Sequence, residues 1–341
     1  MAISRPPAGS GDLGSGRPFD WRDDSSNRRV LPDPHLVTDR VPLVSACMPV
    51  YNGERYLAEA VESILAQTLV DFEFLIIDDG STDGSLRILQ RYAEQDPRIR
   101  LISRPNKGLT ATLNELIDLA RGEFIARMDA DDVSLPERLE RQVDYLRANP
   151  GCVVVGCRAL VIDPDGDPVS VRFNGLAHEE LDAQNLDGSR QSALCHPSVL
   201  MRRQALVESG KYRQQFQYCE DLDLWLRMAE RGRLGNLPEV LIKYRVHEDN
   251  KSNHRVARSR DDFWQVLTEA RQRRGLPVGQ LPPGPRGSEG RPDESIHRTW
   301  GWQALMGGFV STARKHAWKF LRQEPFSIDA WKLLKSSLIG Y

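Results

Sequence analysis

Between residues 43 and 149 the chain repeats one unit four times: an apolar run, a polar loop and a segment of helical periodicity. The runs are Leu43–Met48, Phe72–Ile77, Ile99–Ser103 and Phe124–Met128; the helical segments are Tyr56–Gln67, Ser85–Glu94, Leu109–Ala120 and Pro136–Asn149. Each run is too short for a helix and too uniformly apolar for a strand with one wet face, so it reads as a strand buried on both sides. Such strands, linked by helices, predict an α/β domain: a mostly parallel, Rossmann-like sheet with helices on both faces. Ligands of these sheets sit at the carboxyl ends of the strands. The four polar loops therefore share one edge.

Those loops are Pro49-Val-Tyr-Asn-Gly-Glu54, Asp78-Asp-Gly-Ser-Thr-Asp-Gly84, Arg104-Pro-Asn-Lys-Gly108 and Asp129-Ala-Asp-Asp132. The last places three carboxylates at one strand end, where they repel one another unless a cation lies between them. A hard divalent ion suits them, because Mg²⁺ takes one or two carboxylates and completes its shell with water and phosphate oxygens. The stretch thus points to a metal–diphosphate site. Its bland alternative is that Asp132 or Ser134 caps the helix opening at Pro136.

Beyond residue 149 the spacing predicts a short strand near Val153–Val155, a hairpin around Pro164-Asp-Gly166, and a strand at Cys195–Met201. A helix Leu222–Ala229 opened by Glu220-Asp221 and a last strand Val240–Val246 follow. Residues 42–255 then form the main domain, after a disordered leader at 1–41 rich in Gly, Pro, Ser and Arg. A basic helix is expected at 256–275, a Pro/Gly-rich linker at 276–292 and a helical hairpin at 293–341. In the hairpin, one helical stripe spans Trp300–Leu321, Pro325 ends it, and Ser327 caps the arm Trp331–Leu338.

The formal charge of −2 argues against a nucleic-acid partner. Five cysteines without metal-ligand spacing read as reduced packing residues. With no apolar window near eighteen residues and no signal-peptide pattern, the chain reads as cytoplasmic. The basic, tryptophan-rich hairpin suits a peripheral contact with the inner face of the cell membrane, a partner subunit in a homo-oligomer, or a cap on the main domain.

Seven fragments in order resemble the family 2 glycosyltransferases of GT-A fold, of the kind that builds bacterial cell-surface polysaccharides. They are Val44-Ser-Ala-Cys-Met-Pro-Val-Tyr-Asn-Gly53, Asp78-Asp-Gly-Ser-Thr-Asp83, Asn106-Lys-Gly108, Arg127-Met-Asp-Ala-Asp-Asp132, His196-Pro-Ser198, Glu220-Asp221 and Tyr244-Arg-Val-His247. The leader, linker and hairpin lie outside the match.

The resemblance implies a metal-dependent inverting transfer from a nucleotide-sugar donor, a UDP-sugar, to a hydroxyl of a glycan or lipid-linked acceptor. It implies a nucleotide pocket containing Pro49, Tyr51, Asn52, Glu54, Asn106 and Lys107, with Tyr51 covering a face of the base and Asp79 accepting from the uracil N–H. Asp129 would face the ribose or diphosphate, Arg127 would pair with the diphosphate or orient the acids, and Asp131 with His247 would hold Mn²⁺ or Mg²⁺. Asp221 is implied as the catalytic base, with Glu220 its close competitor. His196 reads rather as structural, and Asp132 as a support of Asp131 or a cap. A reading from another class is a transferase relative that has lost turnover and binds partners through its helical tail. Intact Asp131 and Asp221 weigh against it.

Overall fold

The computed structural model describes residues 41–172, 175–187, 192–216, 218–248, 260–278 and 295–339. The expected leader up to residue 40, and the linker from 279, lie outside the described residues. The four repeated units form as expected. Strands β1 (Val44–Val50), β2 (Phe72–Asp78), β3 (Ile99–Ser103) and β4 (Phe124–Arg127) alternate with α1 (Leu57–Leu65), α2 (Ser85–Gln95), α3 (Leu109–Leu119) and α4 (Arg138–Ala148). The strands are parallel, in the order β3-β2-β1-β4.

Alternation along the strands divides the core into two layers. Val44, Ala46 and Met48 of β1 pack with Phe74 and Ile76 of β2 against Leu57, Val61 and Ile64 of α1. Cys47, Leu75, Ile77 and Ile125 face the other way, onto Leu113 and Leu116 of α3. Burial on both faces, at about 1.5–3 kcal/mol for each large apolar side chain, is why β1, β2 and β4 are largely apolar, with buried Ser45 and Glu73 bonded to each other, while the edge strand β3 is buried only at Ile99.

The second half extends the sheet. Short β5 (Val133–Ser134) precedes α4, and β6 (Cys152–Ile162) and β7 (Pro168–Arg172) form the expected hairpin, with Gly166 of its turn at φ 87°. Next come α5 (His178–Asp187), β8 (Leu200–Arg202), α6 (Arg203–Glu208), α7 (Glu220–Met228), β9 (Arg233–Arg245) and α8 (Arg260–Arg273). The sheet continues as β4-β8-β6-β9-β5, with β7 on β6. Leu224 and Trp225 of α7 join the second core layer, and Phe263, Val266 and Leu267 of α8 pack beside Leu222 and Leu226.

Several expectations are corrected here. The strand near Val153 runs on to Ile162, and the last strand begins at Arg233 rather than Val240. Pro238 sits inside it, where the β6–β9 register shifts and no ladder N–H is needed. The strand expected from Cys195 starts as a 3-10 turn, His196–Ser198, because Pro197 has no N–H to give a ladder. The α4 helix opens at Arg138, and neither Asp132 nor Ser134 caps it; Ser134 belongs to β5.

The C-terminal hairpin is instead three helices: α9 (Ile296–Met306), α10 (Val310–Gln323) and α11 (Ile328–Ile339). The single stripe expected over Trp300–Leu321 breaks at Gly307-Gly308, with Gly308 at φ 80°. The periodicity survives that break because both halves face one small core containing Ala304, Ala313, Phe320 and Leu333. Trp300 seats the unit on the β6–β7 hairpin against Val161 and Val169. Among the described residues no helix is long and apolar enough to cross a membrane.

Candidate active site

The acidic loop is pinned at both ends. On its N-terminal side Arg127 N–H donates to the Val199 carbonyl, and Met128 N–H to the Cys47 carbonyl, each at 3.1 Å. The fully buried Arg138 also donates to the Arg127 carbonyl at 2.6 Å. On its C-terminal side β5 pairs antiparallel with Lys243 and Ile242 of β9. Four residues thus bridge two fixed strands, and their side chains have little freedom to separate.

Asp129, Asp131 and Asp132 accordingly bring carboxylate oxygens within 4.8 Å of one another. Each is oriented by a different element. Arg127 holds Asp129 at 2.5 Å, His247 Nε2 lies 3.0 Å from Asp131 Oδ2, and the Arg245 N–H donates to Asp132 Oδ1 at 2.8 Å. Asp132 is 1% exposed, and its Oδ2 has no hydrogen-bond partner among the described residues. Burial first, then Asp131 and Asp129, push the Asp132 carboxyl well above the usual carboxylate range. A proton or a cation is therefore favoured at this carboxylate. Arg127 is buried too, with Nε and Nη1 lacking partners. Burial opposes its charge, yet Asp129 outweighs that and raises its pKa.

These orphaned atoms test whether a cation fits: an oxygen-only donor set with a buried, unpartnered carboxylate oxygen is what a hard divalent ion requires. Arg127 beside it offers guanidinium donors suited to an anion.

Glu220 and Asp221 open α7. Glu220 is fully buried, whereas Asp221 is part-exposed. Asp223 in the same turn is a structural acid, paired with Arg213 and Arg227. Tyr212 links this end to the acidic loop. Burial raises its phenol pKa, and Arg127, Glu220 and Asp221 all lie within its electrostatic reach. A second link is Arg172 of β7, which lies over the Tyr244 ring at 5.1 Å. Arg172 is within electrostatic reach of Asp221, and Tyr244 is within reach of Asp132 and Asp129. Sequence reasoning missed Tyr212 and Arg172, which stand in segments with no motif around them. His196 Nε2 lies 2.7 Å from Tyr212 Oη, and its ring is edge-on to Trp225.

The other expected residues lie on the same strand-end edge with unequal freedom. Asp79 is 4% exposed and accepts from Arg104, from Lys107 N–H at 2.8 Å and from Gly108 N–H at 3.0 Å. It thereby wraps the Asn106-Lys-Gly loop around itself and keeps acceptor capacity on Oδ2. Asn106 Oδ1 accepts from Gly108 N–H at 3.1 Å, and Lys107 Nζ reaches Glu115 at 3.1 Å. Asn52 and Glu54 brace the loop after β1 to the loop after β2, accepting from Thr82 and Gly84 N–H at 2.8 Å each. Pro49 is buried within β1, opposite Ile77. Tyr51, 52% exposed, is the member of this group free to stack on a ligand ring.

The family model described as Glycosyl transferase family 2 matches residues 45–210. EpsE of Bacillus subtilis (strain 168), designated a glycosyltransferase, is 41% identical over 214 residues, 61% of this chain and 74% of that protein. Chondroitin synthase of Escherichia coli is 30% identical over 237 residues, 70% of this chain; the chain spans only 34% of that relative's length. Among solved structures, S. aureus TarS 1–349 in complex with UDP-GlcNAc aligns with a TM-score of 0.54 at 18% identity, covering 87% of this chain and 79% of that one. The mannosyltransferase PcManGT from Pyrobaculum calidifontis, in complex with GDP-Man and Mn²⁺, gives 0.52 at 20% identity, over 91% and 82%. Both structural likenesses speak to the fold, which is that of the GT-A transferases.

Proposed function

Since the chain belongs to glycosyl transferase family 2, we propose that it moves a sugar from a UDP-sugar to a hydroxyl of a glycan or lipid-linked acceptor, with inversion. One observation supports this reading: a pinned triad of acids has an unpartnered buried oxygen, and its neighbour Arg127 acts electrostatically on the same Tyr212 as the part-exposed Asp221 of α7.

A divalent cation, Mn²⁺ or Mg²⁺, held by Asp131 with His247 beside it, would supply charge neutralisation for the departing diphosphate. The chain's own residues do the rest. Arg127, anchored by Asp129, keeps two guanidinium nitrogens for phosphate oxygens. Tyr51 offers a face to the base, and Asp79 offers its remaining lone pair to a ring N–H, which favours uracil. Asp221 takes the proton from the acceptor oxygen as that oxygen attacks the anomeric carbon, a contribution on the order of 10²–10⁴ in rate. One base and one displacement suffice for inversion, so no second carboxylate nucleophile is needed.

Residues 42–255 are our catalytic portion, with 293–341 as an appended unit. Relatives whose names include chondroitin synthase support polysaccharide assembly as the setting. The exposed Trp318 and Trp331, among basic side chains on α10 and α11, support a peripheral position on the cytoplasmic face of the membrane. Donor hydrolysis or transfer with Mn²⁺ tests the core of the proposal. The wild type should turn over while Asp131→Ala and Asp221→Asn do not, and equal rates in all three would refute it. A thermal-shift panel of UDP-, GDP- and dTDP-sugars addresses the base, since a ligand that binds the native state alone raises its melting temperature. A GDP or dTDP preference would remove the role given to Asp79.

A further inference from the structure

The acidic loop is tied to the C-terminal helices through one buried arginine. Arg245 ends β9 with its side chain 2% exposed. Its backbone N–H holds Asp132, and its Nε donates to the Asp131 carbonyl at 2.9 Å. Nη2 pairs with Glu59 of α1 at 2.6 Å, and Nη1 points to the carbonyls of Asp163 and Pro164 at 3.4 and 3.5 Å. The guanidinium also lies 4.5 Å over the Tyr56 ring, itself 5.4 Å from the ring of His247. One fork thus touches the acidic loop, α1 and the β6–β7 turn, while its stacking partner borders the histidine beside Asp131. A lysine, a point charge on a flexible stem, cannot make this set of contacts together.

The turn that receives Nη1 is itself clamped from α10. Asp163 is fully buried; Oδ1 accepts the N–H groups of Asp165 and Asp167, and Oδ2 accepts from His316 Nε2 at 2.9 Å. Lys315 reaches Asp163 as well, with Asp165 at 3.0 Å and Asp167 at 2.5 Å. Cross-links of this density fix the turn's carbonyls, and therefore the side on which Arg245 is held.

We propose that Arg245 is the positioning residue of the acidic loop, and that α10 sets its position by clamping the Asp163 turn through Lys315 and His316. The C-terminal unit is then a working part of the cation site. This rests on the metal reading above. The Asp131 carboxylate is aimed by where its own carbonyl is held, so an arginine that fixes the carbonyl governs the spacing of the acids. Groups that orient metal ligands typically matter about 10–100-fold in metal affinity.

The test is Mn²⁺ binding without donor, read from the free-ion electron paramagnetic resonance signal, on the full chain and on Arg245→Lys, Lys315→Gln and the double variant. We expect Arg245→Lys to weaken Mn²⁺ by about 10–100-fold. Lys315→Gln, a substitution at a more accessible residue that only loosens the turn, should weaken it at least about twofold. In the double variant the Lys315 effect should vanish, because the path through Arg245 is already broken. Wild-type affinity in folded Arg245→Lys overturns the positioning role. Wild-type affinity in Lys315→Gln overturns the link from α10, and decides the matter should Arg245→Lys not fold. A wild-type protein that takes up no Mn²⁺ overturns the metal reading itself, a result separable from the other two.

Discussion

His247 Nε2 lies 3.0 Å from Asp131 Oδ2 although 116 positions separate the two residues in the chain. The contact exists because β5 pairs with β9, which delivers the residues just after β9 to the acidic loop. With Asp129 taken by Arg127, the imidazole serves to orient Asp131 and can share a cation with it. His247→Ala should raise the Mn²⁺ concentration needed for half-maximal donor turnover by about 10–100-fold, with a smaller effect on turnover at saturating metal. A metal titration that superposes on the wild type would remove His247 from the site.

Asp132 should behave oppositely in the absence and presence of metal. Burial and its two acidic neighbours raise its pKa, so the folded state holds a proton more tightly than the unfolded chain. The sign follows: in the metal-free protein, stability falls as pH rises from the ordinary aspartate value toward and through the folded-state pKa. Asp132→Asn mimics the protonated form and can still accept from the Arg245 N–H. Its metal-free melting temperature should rise by about 2–4 °C for each kcal/mol recovered, while the increment from added Mn²⁺ shrinks. A lower metal-free melting temperature would contradict the charge argument.

Glu220 and Asp221 are adjacent, yet Glu220 is buried and Asp221 part-exposed, which fits the base role proposed for Asp221. Asp221→Asn should lower kcat by about 10²–10⁴ while leaving UDP affinity near wild type. Glu220→Gln should show itself chiefly in the melting temperature. Loss of turnover in Glu220→Gln with an active Asp221→Asn would exchange the two assignments.

The first four strands were legible because burial keeps their runs mostly apolar, and polar loops then mark their ends. Asp129, Asp131, His247 and Asp221 could be nominated because their types stand at strand or helix ends within family motifs. The second half was harder for identifiable reasons. The β6 run is interrupted by Gly156 and Arg158, and β9 by Pro238, where register shifts absorb residues that look like breaks. The Gly307-Gly308 break was hidden by a stripe that stays in phase on both sides. The side-chain contacts of Arg245 reach partners 81 to 186 positions away, Tyr212 bonds Asn114 98 positions away, and Arg172 meets Asp221 only through electrostatics, none of which local spacing encodes.

Acid should loosen the seat of the C-terminal unit. His297 Nδ1 faces His316 Nδ1 at 3.0 Å with the rings stacked, so the pair has room for one proton between them. Burial first, then His316 and Lys319, lower the His297 pKa to about 4, with Asp163 pulling the other way and Lys315 adding to the depression. Below the ordinary histidine value of about 6.5 the unfolded chain therefore binds a proton that the folded chain refuses. Stability present at neutral pH is lost as pH falls from about 6.5 toward 4. Asp163 adds no loss in that window: burial would raise its pKa, but His316 and Lys315 carry it well below the carboxylate range. Hydrogen-exchange protection factors over 296–323, corrected for the intrinsic pH dependence of exchange, should thus fall between pH 6.5 and 4.5, and His297→Phe should flatten the change. An equal fall in the variant would place the sensitive group elsewhere.

A contact with anionic lipid is testable without removing the helices. Deleting 293–341 would also strip Trp300 and Lys315 from the β6–β7 hairpin, so lost binding could follow from a disturbed main domain. Trp318 and Trp331 are 48% and 55% exposed and lie off that contact. Between residues 295 and 339 seven lysines and arginines stand against two acids, a net +5 in a chain whose total is −2. Each basic group near an anionic leaflet contributes about 1 kcal/mol, a contribution that fades with salt, whereas the indole rings add salt-insensitive insertion. Trp318→Ser with Trp331→Ser should therefore weaken co-sedimentation with phosphatidylglycerol-containing vesicles most clearly at high salt, where charge no longer compensates, and leave Mn²⁺ affinity unchanged. Vesicle binding equal to wild type at every ionic strength would leave this face exposed to water, and the acceptor would have to reach the crevice without a membrane to present it.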